Sequence, residues 1–208
     1  MSRAYCYQCY RPNSACLCGR IKRVDNKPRI IILQHKDEVR HPKGSAIIVD
    51  LSLQQCIRYV GEDFSSHQEL NQILKQNLNK VFLVFPAEQA LPLSLFRQRH
   101  AIEDNALSQY AFIFIDASWR KARRIWHLST NLHPLVTIEL DKLEKSNYRI
   151  RKEPGQGLVS TLESIVSLLS CLESEPDKYQ PLLEVFNEMI EHQIQSMGDA
   201  VYQKNYKP

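Results

Sequence analysis

Glycine is scarce in this sequence, at six in 208 residues, and none falls in a G-x-G-x-x-G or G-x4-G-K-[ST] arrangement. Dinucleotide folds and P-loops cradle phosphate with backbone amides that such glycines leave open, so both are disfavoured. The G-x-S-x-G elbow is also missing, which argues against a serine hydrolase of that type. No apolar run approaches the roughly 18 residues of a membrane helix. The opening stretch, MSRAYCYQCYRPNSACLCGR, lacks the apolar core of a secretory signal. The expected compartment is the cytoplasm, with no membrane partner. There is no internal repeat and no low-complexity segment. With 43% hydrophobic and 24% charged residues, the chain is neither collagen-like, disordered nor a coiled coil. Its length suits one domain, or one domain with a small appendage.

Charge is unevenly spread. Residues 1–30 carry seven basic and one acidic side chain, and residues 119–152 carry nine and three. Residues 153–208 reverse the balance, with three basic and nine acidic. Two basic blocks form the electrostatic footprint expected for a polyanion, although a solvated charged surface reads the same way.

Four of the six cysteines lie within thirteen residues, Cys6, Cys9, Cys16 and Cys18, spaced C-x2-C-x6-C-x-C. In a reducing compartment such a cluster favours a metal over disulfides. Two close thiolate pairs suit tetrahedral zinc with every position filled by sulfur, a structural site. A chance cluster or a redox pair are the competing readings. Residues 1–27 are accordingly assigned to a zinc knuckle and 28–208 to the main domain.

The rest reads as α/β. Residues 29–34 (RIIILQ), 46–51 (AIIVDL), 80–85 (KVFLVF), 111–115 (AFIFI) and 135–140 (LVTIEL) are short, continuous and rich in Ile, Val and Phe. Strands buried on both faces of a parallel sheet have that signature. Helices are expected over 65–79, 118–128, 158–172 and 181–197. The alternation predicts a mostly parallel sheet with helices on both faces. Ligands of such sheets sit beyond the carboxyl ends of the strands, which directs attention to 34–38, 85–86, 116–119 and the long polar loop 141–157.

The segment FIDASWRKARRIWH, residues 114–127, is the least ordinary. Asp116 ends a strand and Ser118 is a plausible helix N-cap, so capping alone could explain both. It does not explain Arg120, Lys121, Arg123 and Arg124, because the helix dipole disfavours cations in the first turns. A phosphate-bearing partner would compensate them. Trp119 and Trp126 share a helix face and fit either a core or a base-stacking role.

With these residues in place, the chain resembles the DTW-domain family, named for an Asp-x-Thr-Trp turn. Asp116-Ala117-Ser118-Trp119 matches with serine for threonine. Gln34-His35-Lys36-Asp37-Glu38 resembles Q-H-P-x-E, and Phe85-Pro86 matches a strand-end proline. Arg151-Lys152-Glu153-Pro154 and Ser160-Thr161-Leu162-Glu163-Ser164 resemble R-K-x-P and S-T-x-E-A, and the cysteine knuckle also matches. Each motif is weak alone; together, in order, they are specific.

The resemblance implies a SPOUT-like fold with a C-terminal trefoil knot, and S-adenosylmethionine as co-substrate beside structural zinc. It implies transfer of a 3-amino-3-carboxypropyl group to N3 of a tRNA uridine, in the variable loop, with release of methylthioadenosine. It leaves the oligomeric state open, a self-sufficient monomer being favoured. The cofactor is expected against Phe85, Pro86, Asp116, Ala117, Ser118, Trp119, Leu140, Arg151, Leu158, Ser160 and Thr161. RNA is expected against His35, Glu38, Arg120, Lys121, Arg123 and Arg124. Uracil N3 must lose a proton as it attacks, which a positioned carboxylate can accept. Asp116 is the first candidate for that base and Glu163 the second. A SPOUT-type RNA methyltransferase and a non-catalytic zinc-knuckle RNA-binding protein are the alternatives.

Overall fold

A computed structural model describes residues 4–100, 102–141 and 159–206. The N-terminus folds as an antiparallel hairpin, β1 (Tyr5–Cys6) against β2 (Arg11–Pro12). Six further strands form one sheet: β3 (Arg29–His35), β4 (Cys56–Gly61), β5 (Val81–Val84), β6 (Leu91–Pro92), β7 (Ala111–Asp116) and β8 (Val136–Glu139). Their order is β4-β3-β7-β5-β8-β6, and every pairing is parallel. The helices are α1 (Ala46–Ser52), α2 (Gln68–Asn77), α3 (Leu93–His100), α4 (Trp119–Leu128), α5 (Thr161–Glu173), α6 (Gln180–Met197) and α7 (Asp199–Tyr206). No helix among the described residues is long and apolar enough to cross a membrane.

Strand alternation builds two cores from the same apolar runs. On β3, Ile30 and Ile32 enter one and Ile31 and Leu33 the other. On β7, Phe112 and Phe114 oppose Ile113. The first core is closed by α1, α3, α5 and α6, the second by α2 and α4. Helices therefore cover both faces, as the alternation predicts. Full burial of each such Ile or Phe contributes about 1.5–3 kcal/mol, so the sheet centre is the stable frame on which the strand ends are presented.

One expected strand is a helix. Residues 46–51 fold within α1, where Ala46, Ile47, Ile48, Val49 and Ser52 are buried. A short continuous apolar run reads alike in a buried strand and a buried helix. The strand is instead β4, the edge of the sheet. Its burial is partial, with only Tyr59 fully covered, so it lacks the continuous apolar run of its neighbours.

The hairpin is fastened to this body. Buried Arg11 donates to the carbonyls of Cys9 (3.1 Å) and Gly44 (2.9 Å), and Leu17, 3% exposed, belongs to the first core. At the far end of the sheet, buried Glu173 accepts from the Lys27 amide (2.9 Å) and the Tyr179 hydroxyl (2.7 Å) and pairs with Lys178.

Candidate functional site

Two polar clusters stand at the carboxyl ends of the central strands, one on each face. On the α5 face, the penultimate residue of β3 is Gln34, which lies opposite Asp116 of β7 in the parallel register. The Gln34 amide donates to Asp116 Oδ2 at 2.8 Å, and the Thr161 hydroxyl donates to Asp116 Oδ1 at 2.6 Å. Gln34 is 2% and Asp116 9% exposed. The carboxylate is thus aimed by two donors from different elements. Three segments singled out in the sequence, 34–38, 116–119 and 160–164, meet through this one side chain.

Asp116 is therefore not simply a helix cap. Ser118 occupies the N-cap position of α4 but makes no side-chain capping bond. Capping chemistry appears instead on α5. Buried Ser160 accepts from the Glu163 amide (3.1 Å), and the Glu163 carboxylate accepts from the Ser160 amide (2.7 Å), a reciprocal box. One carboxylate oxygen of Glu163 is thereby engaged in holding the turn that delivers Thr161.

The remaining expected cofactor residues divide between the faces. Leu140 packs against the first core. Phe85, Ala117 and Trp119 join the second core with Trp126. Phe85 lies between the two tryptophan rings, at centroid distances of 6.1 Å and 5.9 Å, so the indoles pack largely as core. Pro86 is exposed at the end of β5. Arg151, Leu158 and nearly all of the loop 141–157 lie outside the described residues.

On the α4 face the cluster is ionic. His35, 3% exposed, accepts from the Asp37 amide through Nδ1 (3.2 Å), which leaves Nε2 facing Glu62 at 3.3 Å. Glu62 also meets Arg124 Nε at 2.7 Å. Lys121 bridges Asp37 (3.2 Å) and Glu38 (3.1 Å). The His35 hydrogen bond, aided by the Arg124 charge, holds the Glu62 carboxyl below its usual range, and the Lys121 contact does the same for Asp37. Burial works against the Lys121 charge, but Glu38 and Asp37 outweigh it and raise its pKa. Half of the cationic helix start is thus neutralised from within. Arg120 and Arg123 are exposed and make no ion pair among the described residues. The sequence reading missed Glu62 as the intramolecular counter-charge of Arg124.

The cysteines converge as their spacing predicts. The four Sγ atoms lie within 4.8 Å of one another, with Cys6–Cys18 at 3.6 Å and Cys9–Cys16 at 3.7 Å. A tetrahedron of zinc–sulfur bonds of about 2.3 Å sets its sulfurs about 3.8 Å apart, so the donor set fits. Amides of Cys9 and Gln8 donate to Cys6 and lower its thiol to about 6. Burial and the neighbouring thiols push Cys18 up.

A family model described as the DTW domain matches residues 3–194. The chain is 29% identical over 199 residues to a Drosophila melanogaster protein named tRNA-uridine aminocarboxypropyltransferase 2, covering 92% of this chain and 76% of that one. It is 24% identical over 208 residues to the Mus musculus protein of the same name, covering 98% and 68%. Identity to the Arabidopsis thaliana tRNA-uridine aminocarboxypropyltransferase A is 23% over 238 residues, covering 99% and 84%. No solved structure matches.

Proposed function

This chain belongs to the DTW domain family, and on that premise we propose that it is a tRNA-uridine aminocarboxypropyltransferase. It acts on N3 of a uridine in the tRNA variable loop, in the cytoplasm, with S-adenosylmethionine as donor. The observation that carries the reading is the side-chain link Gln34–Asp116–Thr161, which joins three family motifs at the strand ends where a ligand of such a sheet binds. When bound, S-adenosylmethionine supplies a sulfonium with three activated carbons, so the pose held by the pocket decides which group moves and methylthioadenosine leaves.

The protein's own task is proton removal and placement. Asp116 takes the N3 proton as N3 bonds to carbon and the carbon–sulfur bond breaks with its electron pair on sulfur. Thr161 and Gln34 keep that carboxylate aimed, and Glu163 steadies the turn behind it. Arg151 supplies a bidentate partner for the donor's carboxylate. The four cysteines hold zinc as a closed structural site. A SPOUT-like knot is part of the same reading and rests on the family resemblance.

Incubation of the protein with unmodified tRNA and S-adenosylmethionine, followed by nucleoside mass spectrometry, tests this. The expected products are aminocarboxypropyluridine and methylthioadenosine. Methylated uridine with S-adenosylhomocysteine would make it a methyltransferase. Absence of product together with absence of cofactor binding by calorimetry would leave an RNA-binding module.

Phosphate binding should come chiefly from Arg120 and Arg123, which make no ion pair among the described residues. Arg120→Ala combined with Arg123→Ala is expected to weaken tRNA binding and to flatten the log–log salt dependence by about one unit for each phosphate no longer neutralised. Arg124→Ala should cost less, because Glu62 already engages that side chain. Filter binding across a salt series measures both; equal losses would mean that the Glu62 pair opens when RNA docks.

A further inference from the structure

We propose that Arg58 is a positioning residue for Asp116, acting through the Gln34 amide and backed by Asp50. The inference rests on the reading of Asp116 as the base and adds residues that neither the motifs nor the family resemblance supplied. In register, Ile32 lies opposite Arg58 and Gln34 opposite Asp116. Period-two alternation therefore puts Arg58, Gln34 and Asp116 on one face, the face that α1 and α5 cover. Arg58 Nε donates to Asp50 Oδ2 at 2.8 Å, and Arg58 Nη1 donates to Gln34 Oε1 at 2.7 Å. Gln34 Nε2 then donates to Asp116 Oδ2 at 2.8 Å. Asp50 reaches Arg58 because residues 46–52 are helical.

An amide has two ends of nearly equal shape and opposite polarity. Left to itself, Gln34 could turn its oxygen toward Asp116 and set lone pairs against lone pairs. The guanidinium takes the oxygen and leaves only the nitrogen for Asp116. Stability gives little reason for this row: the Arg58 and Asp50 side chains are 12% and 24% exposed, where desolvation largely cancels the attraction of an ion pair. Fixing the direction of a reacting carboxylate is a reason, since small misplacements at a reacting centre are costly. The charged groups that β4, α1, β7 and α5 bring to this row are Arg58, Asp50, Asp116 and Glu163.

Steady-state kinetics of Arg58→Met, Gln34→Glu and Asp116→Asn test the proposal. In Arg58→Met, kcat for transfer is expected to fall about 10–100-fold, with KM for tRNA and for S-adenosylmethionine nearly unchanged. Gln34→Glu keeps an acceptor for Arg58 but sets a second carboxylate against Asp116. That pair retains a proton to higher pH, so the acid limb of the kcat profile should move up by about one unit or more. A merely structural role for Arg58 would not lower kcat while leaving both KM values unchanged. An inactive Asp116→Asn beside an unimpaired Arg58→Met overturns the positioning role and leaves the base assignment standing. A fully active Asp116→Asn removes the base and the positioning role together. Should Arg58→Met fail to fold, Gln34→Glu decides: an unmoved acid limb overturns the proposal.

Discussion

Asp116→Asn is expected to lower aminocarboxypropyl transfer by about 10²–10⁴-fold at neutral pH, the range that proton removal by a positioned group supplies. The substitution preserves shape, so the first core and its flanking helices should persist. It preserves one hydrogen bond, because the Thr161 hydroxyl can still donate to the remaining carbonyl oxygen. It loses the other. The asparagine nitrogen would meet Gln34 Nε2 donor to donor, and Arg58 holds the Gln34 amide against a flip. One buried hydrogen bond of this kind is worth about 1 kcal/mol, so a small drop in melting temperature should accompany the large drop in rate. The two effects separate through pH. Uracil ionises without help as pH rises, so the rate of the asparagine variant should climb with hydroxide while the wild type has already levelled off. Single-turnover assays with saturating S-adenosylmethionine measure this directly. Turnover near that of the wild type at neutral pH would remove Asp116 as the base and move the search to Glu163 or a bound water.

Sequence pattern marked the strand ends that meet at the candidate site but not the wiring between them, for physical reasons. The buried strands β3, β5, β7 and β8 were legible because parallel strands covered on both faces are continuous apolar runs, and their ends pointed to Gln34, Phe85 and Asp116. Edge strand β4 was not legible. A strand with one free edge tolerates a charged residue, and CIRYVG carries Arg58 where its neighbours carry Ile and Phe. With β4 assigned to no strand, Arg58 had no place beside Gln34. The helix α1, read as a strand, removed Asp50 from the site as well. The cations of α4 were legible as an unfavourable helix start, whereas Glu62, the partner of Arg124, was not. Glu62 follows β4 in the chain and approaches Arg124 only once the sheet is assembled. Local spacing carried the cysteine cluster completely, since all four thiols come from one thirteen-residue stretch. What escaped was every interaction that depends on the order of strands across the sheet.

Because that cluster is local, its removal should be local too. In Cys16→Ser, zinc is expected to fall from about one per chain to a small fraction after dialysis, since a closed tetrahedral site needs all four thiolates. The hairpin is weak by itself. Its ladder is two residue pairs long, and a two-stranded hairpin alone is at best marginal in water, whereas structural zinc supplies about 10–16 kcal/mol in isolated finger peptides. Loss of metal should therefore loosen Cys9, whose carbonyl receives Arg11, and with it the Arg11 bond to Gly44 and the seat of Leu17 in the first core. Proteolysis should then cut within residues 4–20 well before the rest of the chain. The parallel sheet should survive, because Ile30, Phe82, Phe112 and Phe186 pack the first core together without the hairpin, and the second core contains no hairpin residue at all. Metal analysis, limited proteolysis and far-ultraviolet circular dichroism on the same preparation check the three parts. Full zinc retention in the serine variant would defeat the metal assignment, and collapse of the whole sheet would make the knuckle part of the folding core of the domain.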